Sequence, residues 1–124
     1  EYAYLGISGL TVRPGIAKTA GLPEKTRGVL IADVKNDGPS TNAGLRGGYE
    51  AKQFNGSDIP IGGDVIVKIN ETQVESMPNL VAYIFENNKP GDLVKLQLIR
   101  NSEIVNVEVT LGKRPKDQNS TTRS

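Results

Sequence analysis

The chain has 124 residues, 36% of them hydrophobic, and a formal net charge of +1. This length predicts one domain with a modest core, and the balanced charge gives no electrostatic reason to expect binding to nucleic acid or to an anionic membrane. Cys and His are both absent, which excludes a Ser-His-Asp triad, a Cys-His dyad and a His-ligated zinc site built from this chain alone. Carboxylate-only hydrolysis and magnesium chemistry stay open at this point.

The first part of the chain predicts short strands separated by turns. Leu5–Val12 is expected to form a strand, and Ile16–Leu22 a helix of one or two turns. Gly28–Lys35 is a stronger strand, because it is apolar, rich in β-branched residues and bounded by turn residues. Ser40 is then expected to N-cap a short helix that ends at Leu45.

The middle of the chain predicts a hairpin followed by another strand. Asn55-Gly56 is a strong signal for a two-residue hairpin turn, so residues 49–61 are expected to form a hairpin. Val65–Asn70 follows as a strand, and the segment after it turns the chain towards Val74.

The last part of the chain predicts one long helix and two strands. Ser76 is a good N-cap, and the helix should stop near Asn88 because Pro90-Gly91 follows. Leu93–Arg100 and Ile104–Leu111 both alternate in the manner of half-buried strands. The fold class is therefore α+β and mainly β: a partly open antiparallel β-barrel or sandwich of five to six strands, capped by one long and one or two short helices.

A glycine between two aliphatic residues, in Leu5-Gly6-Ile7, suggests a binding site. An unpaired edge strand can accept an added peptide strand, and the long apolar helix beside it would form the second wall of a groove. Glycine permits a turn in which successive backbone N–H groups converge on a carboxylate. Leu5 and Ile7 would point into a pocket for one apolar side chain, so the expected chemistry is binding.

Four stretches in this order resemble PDZ domains. They are YLGI at residues 4–7, GVLIADVKNDGPSTNAGLRGG at 28–48, GGDVIVKINETQV at 62–74, and NLVAYIFENNKPGDLVKLQLIRN at 79–101. Glu71 stands where this family usually has Gly, a departure that affects only a turn. The resemblance covers the chain from Tyr4 to Leu111.

The order of the elements resembles the PDZ domains of HtrA or Deg-type serine proteases, in a prokaryotic, circularly permuted form. The glycine loop comes first, and a strand closes the domain. The hairpin ahead of PIGGD is expected to be an insertion. The resemblance implies a PDZ domain over residues 1–112, a disordered tail or linker over 113–124, and a protease domain preceding Glu1. It also implies an extracytoplasmic or periplasmic location.

The resemblance implies a set of site residues. Backbone N–H groups of Leu5, Gly6 and Ile7 would bind the carboxylate of a peptide. The residues expected to line the pocket for its last side chain are Leu5, Ile7, Leu80, Ile84 and Asn87. The strand-pairing edge would be Ser8, Gly9 and Leu10. Val81 and Phe85 are expected to supply the helix's core stripe, which would leave Leu80 and Ile84 for the groove.

The expected function is recognition of C-terminal or exposed apolar segments of substrate proteins by β-strand addition, in support of substrate capture or regulation of a protease domain. No catalytic residue, cofactor or metal ion is expected in this chain. Binding to nucleic acid and insertion into a membrane are not expected either. One alternative is a scaffold or tethering module of another membrane-associated protein. A remote alternative is a small hydrolase that uses carboxylates alone.

Overall fold

The computed structural model describes residues 2–113, so the expected tail lies outside the described residues from position 114 onward. None of the helices in the described range is long and apolar enough to cross a membrane. The helices are α1 (Pro14–Thr19), α2 (Pro39–Asn42) and α3 (Met77–Asn87). The strands are β1 (Ala3–Tyr4), β2 (Ile7–Thr11), β3 (Val29–Val34), β4 (Glu50–Phe54), β5 (Ser57–Ile61), β6 (Val65–Ile69), β7 (Thr72–Gln73), β8 (Leu93–Arg100), β9 (Glu103–Thr110) and β10 (Gly112–Lys113).

The strands form three antiparallel sheets. The main sheet has the order β2-β3-β6-β8-β9, with β7 paired to β6, and the two smaller sheets are β1-β10 and β4-β5. The sheets are not closed into a barrel. The prediction of a mainly β, partly open antiparallel fold with one long and one or two short helices is confirmed. Residues 2–113 contain ten strands, of which six form the main sheet, where five to six strands were expected.

The core consists of two clusters that lie on opposite faces of β3. Val29 and Ile31 belong to the larger cluster, whereas Leu30 belongs to the smaller one. Successive side chains of a strand point to opposite faces, so an uninterrupted apolar run is buried on both. The larger cluster also takes in α3 and β8, and the smaller one is covered by α1 and the hairpin.

The expected hairpin is present as β4 and β5. Asn55 and Gly56 have φ angles of 51° and 81°, as a turn with positive φ at both central positions requires. Ile59 and Ile61 of β5 are buried in the smaller cluster. A Cβ on Gly15 of α1 would lie 2.7 Å from the ring of Phe54, so the hairpin packs closely on that helix. It pairs only with itself, outside the main sheet.

The expected strand over Leu5–Val12 begins only at Ile7, and Leu5 and Gly6 form a loop between β1 and β2. Gly6 has a φ of +77°, a left-handed conformation that ends strand geometry on either side. The residues before it, in β1, pair with β10, while Ile7 onward, in β2, pair with β3. Lys113, expected in the tail, is the last residue of β10.

Both short helices begin at a proline, which corrects two details. α1 starts at Pro14 instead of Ile16, and α2 starts at Pro39, with Gly38 rather than Ser40 at its N-cap. The fixed φ of proline suits the first helical position, where its missing N–H is not needed. Ser40 therefore lies inside α2, fully buried.

An ion pair between Asp64 and Arg100 joins the ends of β6 and β8. Two guanidinium nitrogens donate to the two carboxylate oxygens at 2.8 and 2.7 Å. The Asp64 side chain is 2% exposed and that of Arg100 is 20% exposed. The hydrogen bond to the Asp64 carboxylate raises the pKa of the Arg100 guanidinium further above its usual range, so Arg100 stays protonated.

The N-terminus of α3 is capped as the sequence predicts. Ser76 Oγ accepts a hydrogen bond from the Asn79 N–H at 3.0 Å, and Asn79 Oδ1 accepts one from the Glu75 N–H at 3.0 Å. This reciprocal arrangement satisfies two backbone donors that the helix cannot satisfy itself. Beyond the C-terminus, the backbone N–H of Lys89 donates to the Asp92 carboxylate and lowers its pKa.

We predict that Ser76→Ala lowers the free energy of unfolding by about 1 kcal/mol, because the Asn79 N–H loses its acceptor. Urea denaturation followed by circular dichroism measures the change. Ser57→Ala, at an exposed position of β5, is the matched control and should change stability by less than about 0.5 kcal/mol. Equal effects of the two substitutions would contradict a capping role.

Candidate functional site

A cavity of about 210 Å³ lies between the Tyr4–Ile7 loop and α3. We call the channel that contains it the groove. The groove brings together four of the expected pocket residues, Leu5, Ile7, Leu80 and Ile84, and the expected carboxylate-binding Gly6. The other lining residues are Ala3, Tyr4, Met77 and Val81.

The two walls of the groove are α3 and the outer edge of β2. β2 is the terminal strand of the main sheet, with β3 as its neighbour there. The Met77 N–H donates to Thr11 Oγ1 at 3.0 Å, which fixes the start of α3 beside the far end of β2. The helix then runs back towards the loop, where Ile84 and Ala3 both line the cavity.

The register of β2 shows which backbone groups face the groove. The Lys35 N–H donates to the Gly6 carbonyl at 2.8 Å, and the Val12 N–H donates to the Gly28 carbonyl at 2.9 Å. Along an antiparallel strand, the backbone groups of successive residues point alternately towards and away from the neighbouring strand. Because Gly6 and Val12 bond on the β3 side, Ile7, Gly9 and Thr11 direct their N–H and C=O groups away from β3.

Within the predicted pairing edge, Ser8 to Leu10, the central residue is therefore the one whose backbone groups point outward. Gly9 presents both an N–H and a C=O to the groove, whereas Ser8 and Leu10 direct theirs towards β3. A peptide that pairs with β2 would consequently bond to every second residue of the strand.

The two central carbonyls of the Tyr4–Ile7 loop, those of Leu5 and Gly6, point away from the groove. The Leu5 carbonyl accepts from the Ser40 N–H at 3.1 Å, and the Gly6 carbonyl accepts from Lys35 as described above. The N–H groups of Leu5 and Gly6 donate to no acceptor within residues 2–113. Successive N–H groups in such a turn form an anion-binding concavity.

The floor of the groove is the surface of the main core. Leu80 is 1% exposed and Ile84 5% exposed, and both belong to the larger cluster. The expected division of the helix is wrong, because Val81 and Phe85 are 50% and 60% exposed and supply no core stripe. A single stripe of the helix, formed by Met77, Leu80 and Ile84, both packs against the core and lines the groove.

Asn87 does not line the groove. Its side-chain amide donates to the Tyr83 carbonyl at 2.9 Å. It borders a neighbouring depression together with Tyr2 and Phe85, whose rings lie 5.1 Å apart between centroids. Sequence reasoning missed Met77 as a lining residue of the groove. Its position three residues before Leu80, on the same helical face, could have indicated this role.

The groove contains no carboxylate, ammonium or guanidinium group among its lining residues. No three acidic residues within residues 2–113 come together to hold a metal ion. An anionic ligand would therefore meet backbone dipoles rather than a charged side chain, and its apolar part would meet aliphatic side chains. This arrangement suits binding, and no carboxylate lines the groove that a carboxylate-only hydrolase would need.

We predict that Gly6→Ala destabilises the protein more than Gly21→Ala does. Both glycines have a φ of +77°, and a side chain there costs about 1–2 kcal/mol. A Cβ at Gly21 meets nothing within 4 Å, whereas at Gly6 it would lie 3.2 Å from Pro39 Cδ and press on the turn behind the loop. Urea unfolding midpoints measure the loss of stability in each variant. Equal losses would show that the loop accommodates a methyl group at position 6 without a clash.

Several known proteins are similar to this chain. A probable periplasmic serine endoprotease, DegP-like, of Pseudomonas putida (strain W619) is 32% identical over 114 residues, which are 92% of this chain and 20% of that protein. A protein of Halomonas elongata with the same description is 31% identical over 118 residues, 93% of this chain and 21% of the relative. The chain thus spans about a fifth of the length of the curated relatives it matches.

Solved structures show the same fold. The HtrA-type protease AlgW with a decapeptide aligns with a TM-score of 0.72 and 25% identity, over 92% of this chain and 30% of that chain. The PDZ domain of HtrA3 bound to a phage-derived ligand aligns with a TM-score of 0.64, over 88% of this chain and 84% of that one. At 19% identity, the second likeness concerns the fold alone.

The resemblance expected from the sequence is confirmed by these relatives and by a family model. The model of the PDZ domain matches residues 3–111, which include the Tyr4–Ile7 loop, the edge strand β2 and helix α3. The chain therefore belongs to the PDZ domain family.

Proposed function

We propose that the groove binds the apolar C-terminal end of a polypeptide by β-strand addition. The observation that carries this proposal is the meeting of three features in one cavity: an open strand edge, an aliphatic floor and a loop with outward N–H groups. The structure of AlgW, the HtrA-type protease similar to this chain, contains a decapeptide, which supports a peptide as the ligand.

The terminal carboxylate lies against the N–H groups of Leu5, Gly6 and Ile7. The N–H groups of Gly6 and Ile7 are held in place before the ligand arrives, because each shares a planar peptide group with a carbonyl, of Leu5 or Gly6, that is already bonded on the opposite side. A charged acceptor strengthens such hydrogen bonds roughly twofold over neutral ones. A free carboxylate is thus preferred over an amide at this position.

The last side chain of the peptide enters the aliphatic cavity. Leu5, Ile7 and Ile84 surround it, and Met77 can adjust to its shape because a thioether chain is flexible and polarisable. Leu80 provides an apolar surface for the side chain two residues earlier, which favours apolar residues there over Ser or Thr. A few backbone bonds and one or two such pockets correspond to roughly micromolar affinity, about −8 kcal/mol.

The larger protein is proposed to be a serine endopeptidase in which this domain captures substrates or regulates the protease domain. The support is the similarity to DegP-like relatives, which are about five times as long as the matched region. Their description as periplasmic supports an extracytoplasmic location for this chain too. Misfolded proteins are suitable substrates, because they expose the apolar segments and chain ends that the groove accommodates.

We predict that an apolar peptide with a free carboxylate binds at least about tenfold more tightly than its C-terminal amide, since the amide forfeits charge-assisted bonds worth about 1.5–3 kcal/mol. Isothermal titration calorimetry on the two peptides measures this ratio. Equal affinities would remove the basis for carboxylate binding at the Tyr4–Ile7 loop. Failure of both peptides to bind would contradict the proposed function as a whole.

We predict that Val81→Ser weakens binding of the free-acid peptide about threefold to tenfold, by loss of apolar contact worth about 1 kcal/mol. Phe85→Ser is the matched control, because Phe85 is equally exposed on the same helix but does not line the groove. Its effect on the dissociation constant should be less than twofold. Leu80 is unsuitable for this test, since a polar substitution at a core position unfolds the domain before it reports on binding.

A further inference from the structure

Helix α2 holds the Tyr4–Ile7 loop from behind. The Ser40 N–H donates to the Leu5 carbonyl at 3.1 Å, and the Lys35 N–H, in the turn before α2, donates to the Gly6 carbonyl at 2.8 Å. Thr41 Oγ1 in turn donates to the Lys35 carbonyl. The direction of the loop carbonyls, and hence of its N–H groups, is thus fixed by where this turn and α2 lie.

The other end of α2 is held by the ion pair of Asp64 and Arg100. Arg100 Nη2 donates to the Gly44 carbonyl at 3.0 Å, and Asp64 Oδ2 accepts from the Arg46 N–H at 3.0 Å. A backbone bond from the Asp64 N–H to the Arg46 carbonyl, also 3.0 Å, reinforces the contact. The segment that follows α2 is therefore tied to the ends of two main-sheet strands.

This attachment matters because α2 cannot define its own position. It is four residues long and has no side-chain cap, and a single helical turn is not stable by itself in water. The planar guanidinium and the carboxylate, by contrast, meet in a bidentate geometry that fixes orientation as well as distance. Neither Asp64 nor Arg100 lines the groove, so neither contacts a ligand there directly.

We propose that Asp64 and Arg100 are positioning residues for carboxylate recognition: through α2, the Ser40 N–H and the turn at Lys35 they aim the N–H groups of Gly6 and Ile7 at the ligand. This inference rests on the proposed function of the groove. A role confined to stability would lower the affinity for all peptides alike, by reducing the folded fraction. A positioning role lowers the preference for the free acid over the amide in protein that is fully folded.

The first experiment compares Arg100→Met with the wild type at a temperature where both are folded. Calorimetric titration with the free-acid peptide and its amide gives the affinity ratio. We expect the ratio to fall about threefold to tenfold, which lies within the range by which residues outside a binding site modulate coupling, while the amide affinity changes less than twofold. Ile59→Ala, in the smaller cluster remote from α2, is a destabilised control whose ratio should stay at the wild-type value. A wild-type ratio in folded Arg100→Met would overturn the proposal.

Arg100→Lys keeps the charge and loses the bidentate geometry, so its ratio should lie between those of the wild type and Arg100→Met. If Arg100→Met does not fold, Arg100→Lys and Asp64→Asn carry the comparison, and wild-type ratios in both would overturn the proposal.

A second readout needs no peptide. Backbone amide chemical shifts of Gly6, Ile7 and Ser40 should move in the Arg100 variants and stay unchanged in Ile59→Ala; unmoved shifts in folded Arg100 variants would also overturn the inference. If wild-type protein does not distinguish acid from amide, the carboxylate binding proposed for the loop fails, and these shifts still decide whether the ion pair positions the loop.

Discussion

The left-handed backbone at Gly6 is the constraint on which the site depends. It divides one stretch of extended chain into β1 and β2, which pair with different partners. At this point the carbonyls of Leu5 and Gly6 turn towards α2 and the turn before it. The N–H groups of the same two residues are left without a partner in the described chain. A residue with a side chain would resist that turn through its own Cβ and through contact with Pro39. Strand pairing, loop direction and groove therefore follow from one dihedral angle.

A single layer of side chains connects stability with recognition. Leu80 and Ile84 are core residues whose outer atoms form the groove floor. A buried aliphatic side chain is locked by its neighbours, so the pocket is preorganised and little conformational entropy remains to be lost on binding. The same arrangement limits how far the pocket can change by substitution, because altering its floor alters the core. Val81 and Met77, which are less buried, leave more freedom at the rim.

The sequence predicted the long elements and their order, because periodicity and turn residues are local signals. The hairpin at Asn55-Gly56, the cap at Ser76 and the strand Leu93–Arg100 are all present as expected. The orientation of α3 was not predictable, because its two apolar stripes, Leu80 with Ile84 and Val81 with Phe85, are equivalent until the sheet selects one to bury. The pairing of β1 with β10 joins residues that are far apart in the sequence. Strands of only two residues carry no local sequence signal from which this pairing could be predicted.

The β1-β10 ribbon gives the domain a mechanical property. Ala3 lies opposite Lys113, so tension applied between these two residues would open the ribbon one residue pair at a time. Tyr4 of the ribbon is followed directly by Leu5 of the loop. A pull between Ala3 and Lys113 is therefore applied to the fold directly beside the loop that is proposed to bind the end of another polypeptide.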